Sequence, residues 1–443
     1  MHATSAQAPG DVSRAQKWYV VFVLVVATIL AYLDRGIISV LVPSLKADLG
    51  ITDVQVSLLQ GMSFALFFAV AGIPIGRLVD RLNRRNIIII GVLVWSLMTL
   101  LCGMARDYNE LLLARIGVGV GEATLIPAAY SIVADYFASD ERGLPMSVLG
   151  CASAIGGAGA SAAGGAVLLM VEGEKWARLL AEHGIAEWRA TLIVFGLPGP
   201  LVALLLLTFA EPVRRSVAVA GGQGFWTYLR EHRRVLTCFY LFAALNFVTA
   251  YSAVLWAPAA LARSFEIKVG TAGIVIGLTQ IASNLVGNIA AGLVGDRMSK
   301  AGRPHPRLGI AIAVLPITGI GSLVMAVAGT PVVFSAGFAL AGFGTGVLIA
   351  LAHPILFDIV PGAMRGRAAA VNMLIAALVG LGGGPLLVAL LTDKVFADPR
   401  MLAVSIGLVG ACSSVITLAL LLHVRNDYAR LRQAMQGQAA TAP

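Results

Sequence analysis

Apolar segments long enough to cross a membrane follow one another along nearly the whole chain. A membrane-spanning helix needs roughly 20 mostly apolar residues. Only 12% of the 443 residues are charged, against roughly 25% in an ordinary soluble protein. We therefore expect an all-α integral membrane protein with twelve spans, at about 18–45, 53–80, 86–105, 110–137, 144–171, 189–210, 234–262, 270–297, 307–328, 332–359, 367–392 and 400–423.

The net charge of +9 is explained by where the basic residues fall. If the N-terminus is cytoplasmic, most of the 32 Lys and Arg residues lie in loops on the cytoplasmic side, as the positive-inside rule requires. Both termini are thus predicted to be cytoplasmic, in a multi-pass protein of a bacterial-type inner (plasma) membrane. The basicity reflects topology, so nucleic acid is not an expected partner. The four cysteines lie in apolar spans and are interpreted as packing residues.

Two short motifs occur twice, about half a chain length apart. "GIPIGRLVDRLNRR" and "AAGLVGDRMSK" each contain G-x-x-x-D-R, and from Gly76 to Gly292 is 216 residues. An Asp that stands seven residues before Arg-Gly also occurs twice, at Asp135 and, 223 residues later, at Asp358. These repeats predict two six-helix bundles in the same orientation.

The repeated loops have a predicted role in gating. A Gly lets neighbouring helices approach closely, and an Asp at a helix end can bind an Arg or the N-terminus of another helix. Such contacts would hold one gate shut and break when it opens; the alternative is static loop packing. The residues assigned to gating are Gly76, Asp80, Arg81, Arg84, Arg85, Gly292, Asp296, Arg297, Asp135, Arg142, Asp358 and Arg365.

The chain is accordingly divided into five regions. They are a cytoplasmic N-terminal tail (1–17), the N-terminal bundle (18–210), a cytoplasmic linker (211–233), the C-terminal bundle (234–423) and a cytoplasmic C-terminal tail (424–443). In the linker, the spacing of Phe225, Trp226 and Leu229 favours one side of a short helix on the inner membrane surface. A disordered basic linker is the equally weighted alternative.

Four charged residues lie inside predicted spans: Asp34 and Arg35 in span one, and Arg115 and Glu122 in span four. One ionised residue at the centre of a lipid-facing helix costs ~2.5–3.5 kcal/mol, so these side chains must face the interior, pair, meet water or protonate. Arg115 and Glu122 lie about 20° apart around their helix and roughly 10 Å apart along it. They are therefore predicted to have separate partners.

Asp34 and Arg35 are about 100° apart on their helix and cannot point the same way. We expect Arg35 to face a central cavity and Asp34 to face the edge of the bundle near span four. In this hypothesis Asp34 is the main proton site, Arg35 holds an anionic head group, Glu122 couples the two and Arg115 sets the surrounding charge. A fixed structural charge cluster is the alternative. Further candidates for binding substrate, each also consistent with an interhelical hydrogen bond, are Gln60, Asn246, Tyr251, Asn284 and Asn372.

Two glycine-rich stretches predict thin helix faces. Gly117, Gly119 and Gly121 lie between the two charges of span four, where either tight helix contact or close ligand approach would use them. The stretch "SAIGGAGASAAGGAV" of span five is interpreted as a close-packed hinge against a neighbouring helix.

These motifs resemble a known superfamily. "GRLVDRLNRR" resembles the loop between spans two and three of the major facilitator superfamily, and "RIGVGVGEA" its span-four signature. More narrowly, "YLDR", "DRLNRR", "WSLMTL", "GVGVGEA" with "IVADYF", and "LWAP" together resemble the spinster family of lipid transporters. "YLDR" and "GEA…PA" are also similar to organic anion–proton symporters of the same superfamily. The spinster pattern G-D-x-x-S-P in span eleven is replaced by "GLGGGP", with Leu381 and Gly384 at the Asp and Ser positions.

The resemblance implies a proton-coupled secondary transporter that works by alternating access. A lysophospholipid or sphingoid phosphate is the implied substrate, with its apolar tail against the nearly uncharged C-terminal half. Two alternatives stay open: a small organic anion–proton symporter, and a lipid scramblase or sensor without ion coupling. Enzyme motifs are absent, so no enzyme activity, cofactor or metal is expected. The expected partners of the monomer are substrate, protons and membrane lipids.

Overall fold

Twelve helices are long and apolar enough to cross a membrane in the computed structural model, which describes residues 13–138, 141–214, 224–301 and 305–440. No strand occurs within those ranges, so the all-α, twelve-span prediction is confirmed. The orientation with both termini cytoplasmic stays a prediction. Spans one to six are Arg14–Leu49, Asp53–Arg81, Arg84–Met104, Tyr108–Tyr136, Gly143–Val171 and Glu187–Leu207. Spans seven to twelve are Arg233–Phe265, Val269–Met298, Pro306–Ala326, Pro331–Asp358, Arg365–Phe396 and Pro399–Met435.

Several spans are interrupted helices. Span one consists of Arg14–Gly36 and Ile38–Leu49, and span four of Tyr108–Glu122 and Leu125–Tyr136. Span six consists of Glu187–Gly196 and Pro198–Leu207. Spans two and eleven contain π-helical turns, at Leu58–Met62, Ala376–Gly383 and Leu391–Phe396. The remaining pieces of these two spans are Asp53–Ser57, Ser63–Arg81, Arg365–Ile375 and Gly384–Leu390.

Helix starts are set by local side chains. The carboxylate of Asp107 accepts from the N–H groups of Asn109 and Glu110 at the start of span four, and Asn83 and Thr330 act in the same way at spans three and ten. Such caps satisfy N–H groups that have no partner within the helix. Short helices also occur outside the spans, namely Glu174–Glu182 and Phe225–Glu231, with a 3₁₀ turn at Gly362–Met364. Span twelve begins with another 3₁₀ turn, Pro399–Met401.

The chain divides into two compact units. Unit 1 consists of residues 1–51 and 63–219, and unit 2 of residues 52–62 and 220–443. Span two is therefore shared, because its first turns pack within unit 2 while Ser63–Arg81 belongs to unit 1. The last helix, Leu402–Ala440, continues from span twelve through most of the segment 424–443 that the sequence analysis assigned to a tail.

Within unit 1, span five packs closely against span one. A Cβ atom added to Gly156 would lie 2.8 Å from the Cβ of Tyr32, and one added to Gly164 would lie 2.5 Å from the Cδ1 of Ile37. Both distances are shorter than van der Waals contact, so only glycine allows this approach. The predicted close packing of the span-five stretch is confirmed.

A short helix, Phe225–Glu231, precedes span seven in unit 2, and we call it the linker helix. Phe225 and Tyr228 are buried in the core of unit 2 with Leu229 packed against it, whereas Trp226 is 70% exposed. The three side chains fall within about 100° of one another on the helix, as the sequence predicted, but Phe225 and Leu229 face the core of unit 2. The position of the helix on the inner membrane surface stays a prediction. Burial raises the pKa of Tyr228 to about 12, and its hydroxyl donates to the Ile359 carbonyl. Linker residues 215–223 lie outside the described residues.

Candidate functional site

Three of the four charged residues of spans one and four lie at helix interruptions. Asp34 and Arg35 come directly before the end of the helix Arg14–Gly36, and Glu122 is the last residue of its helix. Span four breaks there because Pro127 has no N–H to donate to the carbonyl of Ala123. Asp34 and Glu122 are buried, and the Arg35 side chain is 13% exposed. All of these residues belong to unit 1.

Arg35 and Glu122 form an ion pair. Nη2 and Nε of Arg35 donate to the same oxygen, Oε2 of Glu122, at 2.7 and 3.1 Å. The other oxygen, Oε1 of Glu122, has no hydrogen-bond partner among the described residues. Arg35 therefore points to span four, the direction that the sequence analysis had expected for Asp34.

Aromatic rings surround the Arg35 guanidinium. Its central carbon lies 4.6 Å from the ring centroids of Tyr32 and Phe64 and 5.2 Å from that of Phe68. The faces of these rings attract a cation, so they stabilise the guanidinium with little water around it. This aromatic cage was not predicted from the sequence. Tyr32 stands one helix turn before Arg35, but nothing in the spacing relates span two to that turn.

Asp34 points to span three. The hydroxyl of Thr99 donates to Oδ2 of Asp34 at 2.5 Å, and Oδ1 has no partner within the described part of the chain. The prediction that Asp34 lies near span four agrees with the contact between its backbone carbonyl and Arg115 of that span. Its carboxylate nevertheless turns to span three, because two adjacent residues diverge by about 100° and Arg35 takes the direction of Glu122. Thr99 was not found from the sequence, because a single Thr in an apolar span carries no signal of its own.

Arg115 binds the backbone of the interrupted span. Its guanidinium donates to the carbonyl oxygens of Asp34 and Arg35 at 3.5 and 3.2 Å. The last carbonyls of a helix lack partners within the helix, and a cation near that end is favourable. Arg115 is fully buried and does not pair with Glu122, as the sequence analysis predicted. It holds in place the turn that carries Asp34 and Arg35.

The glycines of span four serve helix contact. A Cβ atom on Gly117 would lie 2.6 Å from Met98, and one on Gly121 would lie 2.8 Å from the backbone nitrogen of Trp95. Both neighbours belong to span three, so the first of the two predicted uses, tight helix packing, applies to these glycines.

The five uncharged candidates all belong to unit 2. Four of them have a buried side-chain oxygen without a hydrogen-bond partner among the described residues, and these are Gln60, Asn246, Asn284 and Asn372. The fifth, Tyr251, stacks on Phe247 with 6.4 Å between ring centroids. Gln60 lies in the π-helical turn Leu58–Met62, and a Cβ on the adjacent Gly61 would lie 2.2 Å from the carbonyl oxygen of Leu381.

The sequence repeat is also a repeat of contacts. Arg84 Nη1 binds Asp135 Oδ2 at 2.5 Å in unit 1, and Arg307 Nη1 binds Asp358 Oδ1 at 2.8 Å in unit 2. Each Arg begins a span and each Asp lies at or next to the end of the following span. Both members of the second pair lie 223 residues after those of the first. Arg307 was not among the predicted gating residues, although this offset relates it to Arg84.

A second contact repeats with the same offset. Arg142 donates through Nε to the Phe137 carbonyl at 3.0 Å, and Arg365 donates through Nε to the Val360 carbonyl at 3.3 Å. Each arginine thus closes the loop that leads out of span four or span ten. The Asp-and-Arg echo seen in the sequence corresponds to the same two contacts, each made once in unit 1 and once in unit 2.

The G-x-x-x-D-R motifs do not form the contacts expected of them. A Cβ atom on Gly76 or Gly292 would meet nothing within 4 Å, so close helix approach is the wrong reason for these glycines. The carboxylates of Asp80 and Asp296 are exposed, and neither binds another side chain in the described ranges. Arg81 and Arg297 are exposed as well.

In unit 1, the loop between spans two and three is bound by the segment that follows span six. Glu211 accepts from Nε of Arg84 at 2.6 Å and from the N–H of Arg85 at 3.0 Å. Arg85 donates to the Phe209 carbonyl at 2.7 Å. Arg214 donates to carbonyls at the end of span two and just beyond it, namely those of Val79, at 2.7 Å, Asp80 and Leu82. The first residues of the linker are therefore bound to the loop between spans two and three.

Removing the arginine of each repeat is expected to have unequal effects. The Arg84 side chain is 2% exposed and binds both Asp135 and Glu211, whereas that of Arg307 is 39% exposed. Removing one partner of a buried ion pair lowers the free energy of unfolding by about 3–5 kcal/mol, because a buried charge is left without a partner. An exposed ion pair contributes about 1 kcal/mol or less to the free energy of unfolding. In detergent, Arg84→Ala should lower the thermal midpoint clearly more than Arg307→Ala. Equal shifts would contradict this account.

These features define the class of protein: the twelve-span, two-unit fold with its repeated loop contacts is that of a transporter. The family model of the Major Facilitator Superfamily matches residues 24–316 and 243–442, and the chain belongs to this superfamily.

Known relatives include transporters of several kinds. An MFS-type efflux pump of Mycolicibacterium smegmatis is 30% identical, over 64% of this chain and 63% of that protein, so the chain spans less than two thirds of that relative. Protein spinster homolog 1 of Rattus norvegicus is 27% identical, over 96% of this chain and 84% of that protein. The crystal structure of a bacterial homologue of the human lysosomal transporter Spinster has a TM-score of 0.76 and 26% identity, over 95% of this chain and 98% of that one. The spinster resemblance is confirmed.

Proposed function

We propose that this chain is a proton-coupled secondary active transporter that moves an amphipathic anion, such as a lysophospholipid or a sphingoid phosphate, by alternating access. The inner membrane of a bacterial-type cell is its proposed location. The protein acts as a monomer and without a cofactor in this proposal.

The observation that carries the proposal is the divergence of Asp34 and Arg35. Arg35 binds Glu122, and Asp34 accepts from Thr99. The carboxylates of Asp34 and Glu122 each have one oxygen in a hydrogen bond and one oxygen without a partner among the described residues. A carboxyl in this condition has an oxygen free to take a proton without losing its existing bond. Ionisable residues within membrane spans are functional by default, since burying them is costly.

Charge balance supplies the coupling. With both acids ionised, the charges of Asp34, Glu122, Arg35 and Arg115 sum to zero. An anionic head group that binds Arg35 competes with Glu122 for the same guanidinium. One proton on the cluster compensates for the negative charge that the head group brings, so anion and proton bind together. Asp34 is the main proton site in this mechanism. Glu122 couples the protonation of Asp34 to the binding of the head group at Arg35.

The substrate class follows from chemistry that differs between the units. Unit 1 offers a guanidinium, which can hold a phosphate with two parallel hydrogen bonds. Unit 2 offers buried amides such as Asn246 and Asn372. In each of its described ion pairs, at least one partner lies within three residues of the end of a helix. A phosphate head group therefore suits the guanidinium of unit 1. The resemblance of the sequence motifs to the spinster family of lipid transporters favours an apolar tail, although Leu381 and Gly384 depart from the spinster pattern of span eleven.

Proteoliposomes with an imposed pH gradient test the proposal. Three probes are compared: lysophosphatidic acid, a monoacylglycerol with the same chain, and gluconate as a small organic anion. Movement of lysophosphatidic acid that follows the pH gradient, with neither of the other probes responding, is the expected result. Gradient-driven movement of gluconate alone would favour the small-anion symporter. Equal movement of both lipids without regard to the gradient would make the protein a scramblase and defeat the proposal.

The repeated loops are proposed to gate the transport cycle. Asp80 is exposed and binds no described side chain here, so a gating contact of its carboxylate must form in another conformation. Asp80→Ala is expected to shift the population away from the outward-open state, whereas Asp398→Ala, which removes the cap of the turn Pro399–Met401, should leave it unchanged. Pulsed EPR distances between labels on the cytoplasmic ends of the two halves measure the shift. Identical distributions in wild type and Asp80→Ala would leave only a packing role.

A further inference from the structure

The loop between spans five and six contains a short helix, Glu174–Glu182, which we call the outer-loop helix. None of its nine residues is buried. Its large apolar side chains are open, with Trp176 47% exposed and Leu179 45% exposed. In a soluble protein, exposed apolar side chains clustered on one face of a helix mark a contact surface.

The helix is strongly two-faced. At about 100° per residue, Trp176, Leu179 and Leu180 fall within about 100° of one another. On the opposite side, Glu174 and Arg178 form an ion pair one turn apart, and Glu182 continues the same polar row. A narrow apolar face beneath a charged face is the pattern of a helix that lies in a membrane interface.

Short connections confine the helix to the membrane surface. Two residues, Glu172 and Gly173, separate it from the end of span five, and four residues separate it from the start of span six. An extended residue covers at most ~3.6 Å, so the helix stays within about 15 Å of the points where these spans leave the membrane. Gly184, with φ +62°, makes the turn back into span six.

The flanking spans show which solvent meets the apolar face. Met170, next to the last residue of span five, is exposed and apolar, and so is Leu197 in the middle of span six. In a membrane-spanning chain such residues contact lipid. The apolar face of the outer-loop helix continues this surface into the head-group region, where Trp side chains concentrate.

We propose that the outer-loop helix lies in the lipid interface, with Trp176, Leu179 and Leu180 inserted between lipid head groups. The bound partner is a lipid surface held by apolar contact. Its charges do not favour anionic lipid, because Glu174 and Glu182 balance Lys175 and Arg178. Zwitterionic phosphatidylcholine is therefore sufficient, and added anionic lipid leaves the depth of the helix unchanged.

Nitroxide labels placed one at a time along the helix test this proposal in the full chain. The four native cysteines are replaced, and labels at positions 174, 176, 178, 179, 180 and 182 are compared in phosphatidylcholine vesicles. Labels at 176, 179 and 180 should be accessible to oxygen and protected from a water-soluble nickel complex, with the opposite result at the matched polar positions 174, 178 and 182. Nickel access at all six positions would place the helix in water. Low access to both reagents at the apolar positions would mean a protein partner. Either outcome, or insertion that requires anionic lipid, would overturn the proposal.

Trp176→Phe gives an independent measurement that keeps the native cysteines. Of the six tryptophans, the emission lost in this variant belongs to Trp176. That component should be quenched by phosphatidylcholine brominated near the head group and resist quenching by iodide in water. If iodide quenched the Trp176 component and brominated lipid did not, insertion would be contradicted. This result would hold even if the cysteine-free protein failed to fold.

Discussion

Asp34→Asn is expected to remove pH-gradient-driven transport, down to the level of protein-free liposomes, while the protein remains folded. Asn keeps the size of the side chain and can still accept from the Thr99 hydroxyl, which lies 2.5 Å from Asp34 Oδ2. Asn cannot take up and release a proton, so an imposed pH gradient can no longer drive transport through this position. The measurement is uptake of lysophosphatidic acid into proteoliposomes with and without the gradient. Elution as a single peak in gel filtration verifies the fold.

Glu122→Gln is the companion variant, with a partial loss expected. Gln still offers an oxygen to Arg35, but it removes the negative charge with which the head group competes. Glu110→Gln, in the first turn of the same span, serves as the control and should transport as the wild type does. If Glu122→Gln abolished the response to pH and Asp34→Asn kept it, the two roles would be exchanged. If both variants kept the response, the charge cluster would be structural.

Arg35→Lys is expected to weaken binding of lysophosphatidic acid about tenfold, and Arg35→Ala about a hundredfold. A charge-assisted hydrogen bond contributes about 1.5–3 kcal/mol, and each 1.4 kcal/mol is about a factor of ten in affinity. Lys keeps the charge but cannot form two parallel bonds to a phosphate. Ala loses both the charge and the bonds and leaves Glu122 buried without the cation that lies 2.7 Å from it. Affinities are measured by calorimetry on purified protein.

A neutral lipid separates head-group binding from folding in these variants. Monoacylglycerol of the same chain length should bind wild type, Arg35→Lys and Arg35→Ala with similar affinity, since it has no anion for the guanidinium to hold. If the neutral lipid lost affinity to the same degree, Arg35 would serve the structure of span one and its aromatic cage. The anionic-lipid proposal would then have to be withdrawn.

Several features were already determined by the sequence. Span number follows from the length of apolar runs, because a lipid-exposed backbone must satisfy its own hydrogen bonds within a helix. The internal repeat follows from motif spacing, and the repeated pairs Arg84–Asp135 and Arg307–Asp358 agree with it. Interior positions for Asp34, Arg35, Arg115 and Glu122 follow from the cost of a charge in lipid. The divergence of Asp34 and Arg35 follows from helix geometry alone.

Only the tertiary structure decided which partner each of these groups meets. Spacing gives the angle between two side chains on one helix, but it leaves open how each neighbouring helix is rotated and shifted along its axis. The sequence therefore showed that Arg35 and Asp34 point in different directions. The pairing of Arg35 with Glu122 and the hydrogen bond between Thr99 and Asp34 depended on the packing of spans three and four. The role of Arg115 was hidden for a related reason. Its partners are backbone carbonyls of Asp34 and Arg35, freed where span one is interrupted, and an apolar run does not show where its helix breaks.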